Sequence, residues 1–347
     1  MTATAVAPST APSAGVVLEV TDLTKIFGQL AAVDHLTFTV QPARVTGFLG
    51  PNGAGKTTTM RMLLGLVAPT SGTALIGGQR YRDLPNPMRV VGSALEATNF
   101  HPGRSGRDHL RVLADASGIP TRRVDEMLDL VGIPAAARQR AGGYSMGMRQ
   151  RLGLAAALLG DPAVLMLDEP ANGLDPEGIR WLRSFLRYLA HQGKTILVSS
   201  HMLAEADQIV DDVVIIANGR SVAQGSMAEL RGEPTVFARS SDNAALASAL
   251  TARGVLSTPS DGGLIAKTAD PARVGDIALA AGLPIHELHP LASDLEDLFF
   301  RLTDTVANRN RGGDSGPGGP PPWQPPTSSA SAQPPLPVVS SEAGDPR

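Results

Sequence analysis

The sequence predicts an α/β protein in which a sheet domain of mostly parallel strands is interrupted by a helical subdomain and followed by a small α+β appendage and a Pro/Gly/Ser-rich tail. Three observations predict it. Apolar runs alternate with amphipathic segments from Val16 to Arg231, the pattern of strands and helices around a largely parallel sheet. A glycine-rich stretch ending in Lys56 and Thr57 joins one such apolar run to a helical one. After Asn308 the chain changes abruptly to a composition too poor in apolar residues to fold by itself.

The 347 residues exceed one average domain, and 42% hydrophobic content is ample for a core. With 30 basic and 33 acidic residues the charge is nearly balanced, which argues against a dedicated nucleic-acid binder. Cysteine is absent, so disulfides, thiolate metal sites and thiol catalysis are excluded, and a reducing compartment is the simplest home.

Residues 1–15, MTATAVAPSTAPSAG, lack the basic and apolar regions of a signal peptide and read as a flexible leader. Nowhere do the roughly 20 consecutive apolar residues of a membrane-crossing helix occur, so any membrane work needs a partner. The sheet domain spans 16–232, with strands expected at VVLEV (16–20), VTGFLG (45–50), AVLMLD (163–168), TILVSS (195–200) and DVVIIA (212–217). Between about 88 and 157 the reading is mainly helical, carried by RDHLRVLADASG and RRVDEMLDLVG, each closing on a glycine. The appendage, 233–305, alternates TVFAR and LIAK with NAALASALTARG, PARVGDIALAAG and DLEDLFFRL. The tail, 306–347, is expected to be disordered; Trp323 among its prolines is either a tolerated linker residue or a polyproline-type docking point.

GPNGAGKTT, comprising Gly50, Pro51, Asn52, Gly53, Ala54, Gly55, Lys56, Thr57 and Thr58, fits the phosphate-loop pattern between strand and helix. It makes the sheet domain a P-loop NTPase fold. Glycines let successive N–H groups and the helix N-terminus face phosphates, Lys56 adds a point charge, and the Thr57 hydroxyl suits Mg²⁺. AVLMLDEP then delivers Asp168 and Glu169 at the C-terminal end of a strand, the ligand edge of a parallel sheet. Asp168 is the candidate direct or second-shell Mg²⁺ partner and Glu169 the candidate base for the attacking water; a solvated turn with a helix cap is the alternative.

YSMGMRQRLGLA (144–155), shortly before AVLMLDEP, resembles the signature sequence of the ABC ATPase family, usually Leu-Ser-Gly-Gly-Gln. Ser145 and Gly147 match; Tyr144, Met146 and Met148 depart. The resemblance covers about 16–231. It implies a head-to-tail homodimer with two ATP molecules, Ser145 and Gly147 of one subunit meeting the γ phosphate held by the other. It implies that Asp175 in NGLDP makes an inter-subunit contact, and that His201 in VSSH holds the γ phosphate. Phe27 in LTKIFG corresponds to an aromatic stacked on adenine, with an ordinary core phenylalanine as the alternative. Glu96, following VVGSAL, stands where the family has a glutamine that touches Mg²⁺ and the membrane coupling interface; a carboxylate can still bind the metal but cannot donate as an amide does. The partner implied is a separate multi-span permease gripped around Glu96 and Phe100, placing the subunit in the cytoplasm on the inner face of the membrane. The signature, Glu96 and the DLEDLFFRL ending resemble bacterial multidrug and antibiotic-resistance exporters. A non-transport soluble ABC ATPase or a regulatory nucleotide-binding protein is the alternative.

Overall fold

The computed structural model describes residues 15–95, 100–202, 206, 208–231 and 233–291. Glu96, DLEDLFFRL, Trp323, the tail and all but the last residue of the leader lie outside them.

The chain opens with two long strands, β1 (Leu18–Phe27) and β2 (Leu30–Val40), which pair antiparallel. β3 (Val45–Leu49) is buried on both faces and leads through the glycine-rich loop into α1 (Lys56–Leu63). β4 (Ser71–Ile76) returns to β1, completing an antiparallel sheet in the order β2-β1-β4. The expectation that VVLEV belongs to the parallel sheet is therefore corrected. Leu18 and Val20 are buried while Glu19 between them is exposed, the alternation of a one-sided antiparallel strand.

After α2 (Pro87–Val90), β5 (Val91–Ala94) forms a short edge strand inside the stretch that reads as helical. Three helices follow: α3 (Gly106–Ala116), α4 (Arg122–Leu130) and α5 (Met146–Leu158). β6 (Val164–Leu167), α6 (Pro176–His191), β7 (Thr195–Ser200), β8 (Asp212–Ala217), β9 (Arg220–Ser226) and the short α7 (Met227–Arg231) complete this part. The main sheet runs β5-β6-β7-β3-β8-β9, parallel except for the antiparallel β9. One apolar core joins its first face to residues of α3 to α6. A second joins the other face to α1 and the antiparallel sheet.

The remaining described elements are β10 (Thr235–Ser240), α8 (Asn243–Ala252), β11 (Ser257–Ser260), β12 (Gly263–Ala266), α9 (Pro271–Ala280) and β13 (Ile285–Leu291). Their β-α-β-β-α-β succession and antiparallel strand order β11-β12-β10-β13 give a ferredoxin-like unit with its own core around Val236, Leu250 and Val274. Both helices start on aspartate caps: Asp242 accepts from Ala245 N–H and Asp270 from Ala272 N–H.

Candidate nucleotide-binding and hydrolysis site

The parallel strand order brings the C-terminal ends of β6, β7 and β3 side by side, the edge at which open α/β sheets present their ligand groups. From β3 the loop Gly50–Gly55 turns sharply into α1. A side chain at Gly50 would overlap the Ile216 carbonyl oxygen, so only glycine lets the loop lie against β8. Gly55 has φ of +105°, and a Cβ there would stand 2.5 Å from the Ala32 carbonyl oxygen. Pro51, Asn52 and Gly53 are exposed, Ala54 is buried, and Thr58 is half-buried on the first turn of α1. Lys56 is buried, with its ammonium curled back to donate to the carbonyls of Gly50 at 2.7 Å and Pro51 at 3.3 Å.

The same ammonium lies 3.3 Å from Oε1 of Glu169. The other carboxylate oxygen, Oε2, is 2.8 Å from Nδ1 of His201 just beyond β7. An ionised carboxylate only accepts, so this contact is a hydrogen bond in the tautomer that carries its proton on Nδ1. Glu169 has φ of +50°, a left-handed conformation that is uncommon outside glycine and persists where neighbours over-determine it. Asp168, one residue earlier, accepts from the Thr57 hydroxyl at 2.7 Å through Oδ2 and from the Ser199 hydroxyl through Oδ1. The Glu169 N–H donates to that same Ser199 Oγ at 2.8 Å. Ser199 was not singled out by the sequence reading. Its only signal there is the first of the two hydroxyls in VSSH.

The oxygens of Thr57 and Asp168 suit Mg²⁺, which prefers hard ligands and retains water and substrate phosphates in its shell. Among the described residues no three His, Asp or Glu side chains gather into a group that could hold a metal ion.

Ser145 and Asp175 are both helix caps. The Ser145 Oγ accepts from Met148 N–H at 3.2 Å to start α5, and Asp175 Oδ1 accepts from Gly178 N–H at 2.7 Å to start α6, which has proline at its first turn. With Gly147 they line a cleft of about 440 Å³ that also takes in Met146 and Trp181. Lys56, Asp168 and Glu169 are not among its walls. Arg151 stacks its guanidinium 4.0 Å above the Trp181 ring on one side of this cleft. Tyr144, a departure from the usual signature, is a core residue whose hydroxyl donates to the Ala136 carbonyl at 2.6 Å.

Phe27 ends β1 half-exposed, with the Lys25 ammonium 4.9 Å from its ring centroid. The ring is thus outside the core, which corrects the alternative of an ordinary core phenylalanine.

The profile of the ABC transporter family matches residues 33–172, and that of a domain of unknown function (DUF8746) matches 234–296. Over 207 residues, 59% of this chain, the sequence is 44% identical to the bacitracin transport ATP-binding protein BcrA of Bacillus licheniformis and covers 68% of that protein. An uncharacterised ABC transporter ATP-binding protein of Bacillus subtilis, YhcH, is 35% identical over 83% of this chain and 96% of its own length. The Nod factor export ATP-binding protein I of Cupriavidus metallidurans is 37% identical over 62% of this chain and 72% of its own. A solved structure of the ATP-binding subunit of an ABC transporter superposes with a TM-score of 0.56 at 31% identity, covering 62% of this chain and 92% of that one. The cassette fold, the strand-end carboxylates and these relatives converge: the chain belongs to the ABC transporter family as an ATP-binding, ATP-hydrolysing subunit.

Proposed function

We propose that this subunit works as a head-to-tail homodimer that hydrolyses MgATP to drive export of a hydrophobic or amphiphilic compound through a separate multi-span permease. The observation that carries the hydrolytic half is the Glu169 carboxylate suspended between Lys56 and His201, beside the Thr57–Asp168 pair. A bound triphosphate offers Lys56 a stronger partner than Glu169, freeing the carboxylate to accept a proton as water attacks the γ phosphorus and the bond to the β–γ bridging oxygen breaks. His201 then faces the γ phosphate, and Phe27 the adenine. Mg²⁺, held by Thr57 and Asp168 with Glu96 as a further candidate, would neutralise charge on the phosphates.

Ser145, Gly147 and Asp175 occupy a cleft apart from the phosphate loop, so in this reading they serve the nucleotide of the other subunit. The export assignment is supported by the 41–44% identity to bacitracin transport ATP-binding proteins and by the Nod factor export relatives. In this reading the chain sits on the inner face of the membrane through its permease; among the described residues no helix is long and apolar enough to cross a membrane.

The test is purification of tagged Glu169→Gln protein from detergent-solubilised host membranes with MgATP. A closed dimer with a near-equal amount of a multi-span protein is expected. A protein that stays monomeric, or that recovers only soluble partners, overturns the transport reading in favour of a non-transport ABC ATPase. Glu96→Gln separates the carboxylate's role from the amide's: unchanged ATP turnover and transport would mean that its charge has none.

A further inference from the structure

We infer that Ser199 is a positioning residue for hydrolysis, aligning the two adjacent carboxylates Asp168 and Glu169 through one hydroxyl. It lies in β7, fully buried between β6 and β3. A hydroxyl in the middle of a parallel sheet costs free energy unless it is bonded, and both of its bonds here go to the catalytic corner. Its proton goes to Asp168 Oδ1, and its lone pair takes the Glu169 N–H at 2.8 Å. Because Asp168 Oδ2 is engaged by Thr57 at 2.7 Å, the Asp168 carboxylate is held at both oxygens and cannot turn to take the hydroxyl elsewhere.

The second bond bears on Glu169. Its backbone sits at φ of +50°, where a side-chain-bearing residue stays only under constraint. Two constraints act on its carboxylate, Lys56 at 3.3 Å and His201 at 2.8 Å. Both are groups that a triphosphate recruits. Once they turn to phosphate, Glu169 keeps two backbone anchors, the Asn172 N–H on its carbonyl at 3.2 Å and the shorter Ser199 bond to its N–H at 2.8 Å, and only the second ties it to Asp168; the direction of the carboxylate towards water depends on it. Ser199 itself is fully buried, and its hydroxyl acts through Asp168 and Glu169. The sequence marks it only as a serine within a strand whose other positions up to Val198 are threonine and aliphatic.

The inference rests on Glu169 as the base, so Glu169→Gln is measured alongside. In the full chain, Ser199→Ala is expected to lower kcat about tenfold, the worth of one lost charge-assisted bond, with KM for ATP within about twofold. Binding of a fluorescent ATP analogue should be unchanged, which a merely structural defect would not leave intact. Ser199→Thr keeps the hydroxyl and Ser199→Val replaces it with a methyl of the same shape. The Thr variant should recover most of the turnover and the Val variant should not, and this pair decides the matter if Ser199→Ala does not fold. Wild-type kcat in Ser199→Ala, or equal kcat in the Thr and Val variants, with Glu169→Gln inactive, overturns the role of Ser199 alone. If Glu169→Gln also turns over normally, the base assignment and this inference fall together.

Discussion

Replacing Tyr144 with phenylalanine tests how the signature segment is held, and its effect can be worked from one contact. The Tyr144 hydroxyl donates to the Ala136 carbonyl at 2.6 Å in a buried position, so Tyr144→Phe deletes that donor, while the carbonyl keeps the Gln139 N–H at 2.9 Å. A net hydrogen bond is worth about 1 kcal/mol, and because the acceptor stays bonded no orphan penalty adds to it, giving an expected loss of about 1 kcal/mol. For a domain of about 200 residues that lowers the unfolding midpoint by roughly 2–4 °C. The ring itself stays packed, so no cavity adds to the cost.

The partner perturbation is Gly106→Ala at the start of α3. A Cβ there would overlap the Tyr144 hydroxyl and stand 3.1 Å from Cζ. In the tyrosine background this is overpacking of about 1–3 kcal/mol. In the phenylalanine background the overlapping oxygen is gone, and the nearest ring atom needs to yield only a few tenths of an ångström. Gly106→Ala should therefore cost less in Tyr144→Phe than in the parent, with a coupling on the order of 1 kcal/mol. Thermal and urea unfolding of the four proteins closes the cycle. Additive effects, or a Tyr144→Phe protein as stable as its parent, would refute the argument.

Other expectations follow from single features. Gly55→Ala meets both the Ala32 carbonyl and an unfavourable φ, so it should abolish binding of a fluorescent ATP analogue while the circular dichroism of the fold is retained. Phe27→Ala should weaken adenine nucleotides by about tenfold, as for one lost aromatic stack, and Phe27→Trp should restore them; equal affinity in all three would remove Phe27 from the site. His109, packed edge-on 4.8 Å from Phe100, has its pKa pushed below the ordinary 6.5 by burial first and the nearby Arg104 second. Its folded value is depressed, so the unfolded chain binds the extra proton as pH falls below about 6.5, and stability contributed by neutral His109 is lost there. The stability difference between pH 7 and pH 5 should shrink in His109→Gln; an identical profile would show that His109 titrates as in the unfolded chain.

How much of this was legible depends on the range over which each feature is encoded. The phosphate loop is nine consecutive residues, Gly50 to Thr58, whose small side chains and strand–helix setting are local, and the buried apolar runs at β3, β6, β7 and β8 read directly as strands. Where one-sided burial replaces two-sided burial, the reading failed. The expectation puts β1 in the parallel sheet although Glu19 and Thr21 already alternate outward with the buried Leu18 and Val20. β5 is only four residues, too short to stand out from the helices around it.

The site itself shows the deeper limit. Thr57 and Asp168 are 111 residues apart and Ser199 is a further 31 from Asp168, so their pairing depends on strand order, which periodicity does not encode. Each residue type could be guessed at its own strand end, but a serine in a buried strand is by itself as compatible with a satisfied core hydroxyl as with a role in chemistry. What separates those readings is where the bonds go. At β7 they converge on the carboxylate pair, and at Thr46 in β3, equally buried, the hydroxyl has no hydrogen-bond partner among the described residues. Two hydroxyls of similar burial in neighbouring strands thus have different consequences: removing the one at Ser199 should change turnover with nucleotide binding intact. Thr46→Val, which deletes an unbonded hydroxyl at constant shape, should be neutral or stabilising in thermal unfolding and leave turnover unchanged. A Thr46→Val protein that loses turnover as Ser199→Ala does would mean that any change within these strands disturbs the site, and the special claim made for Ser199 would fail.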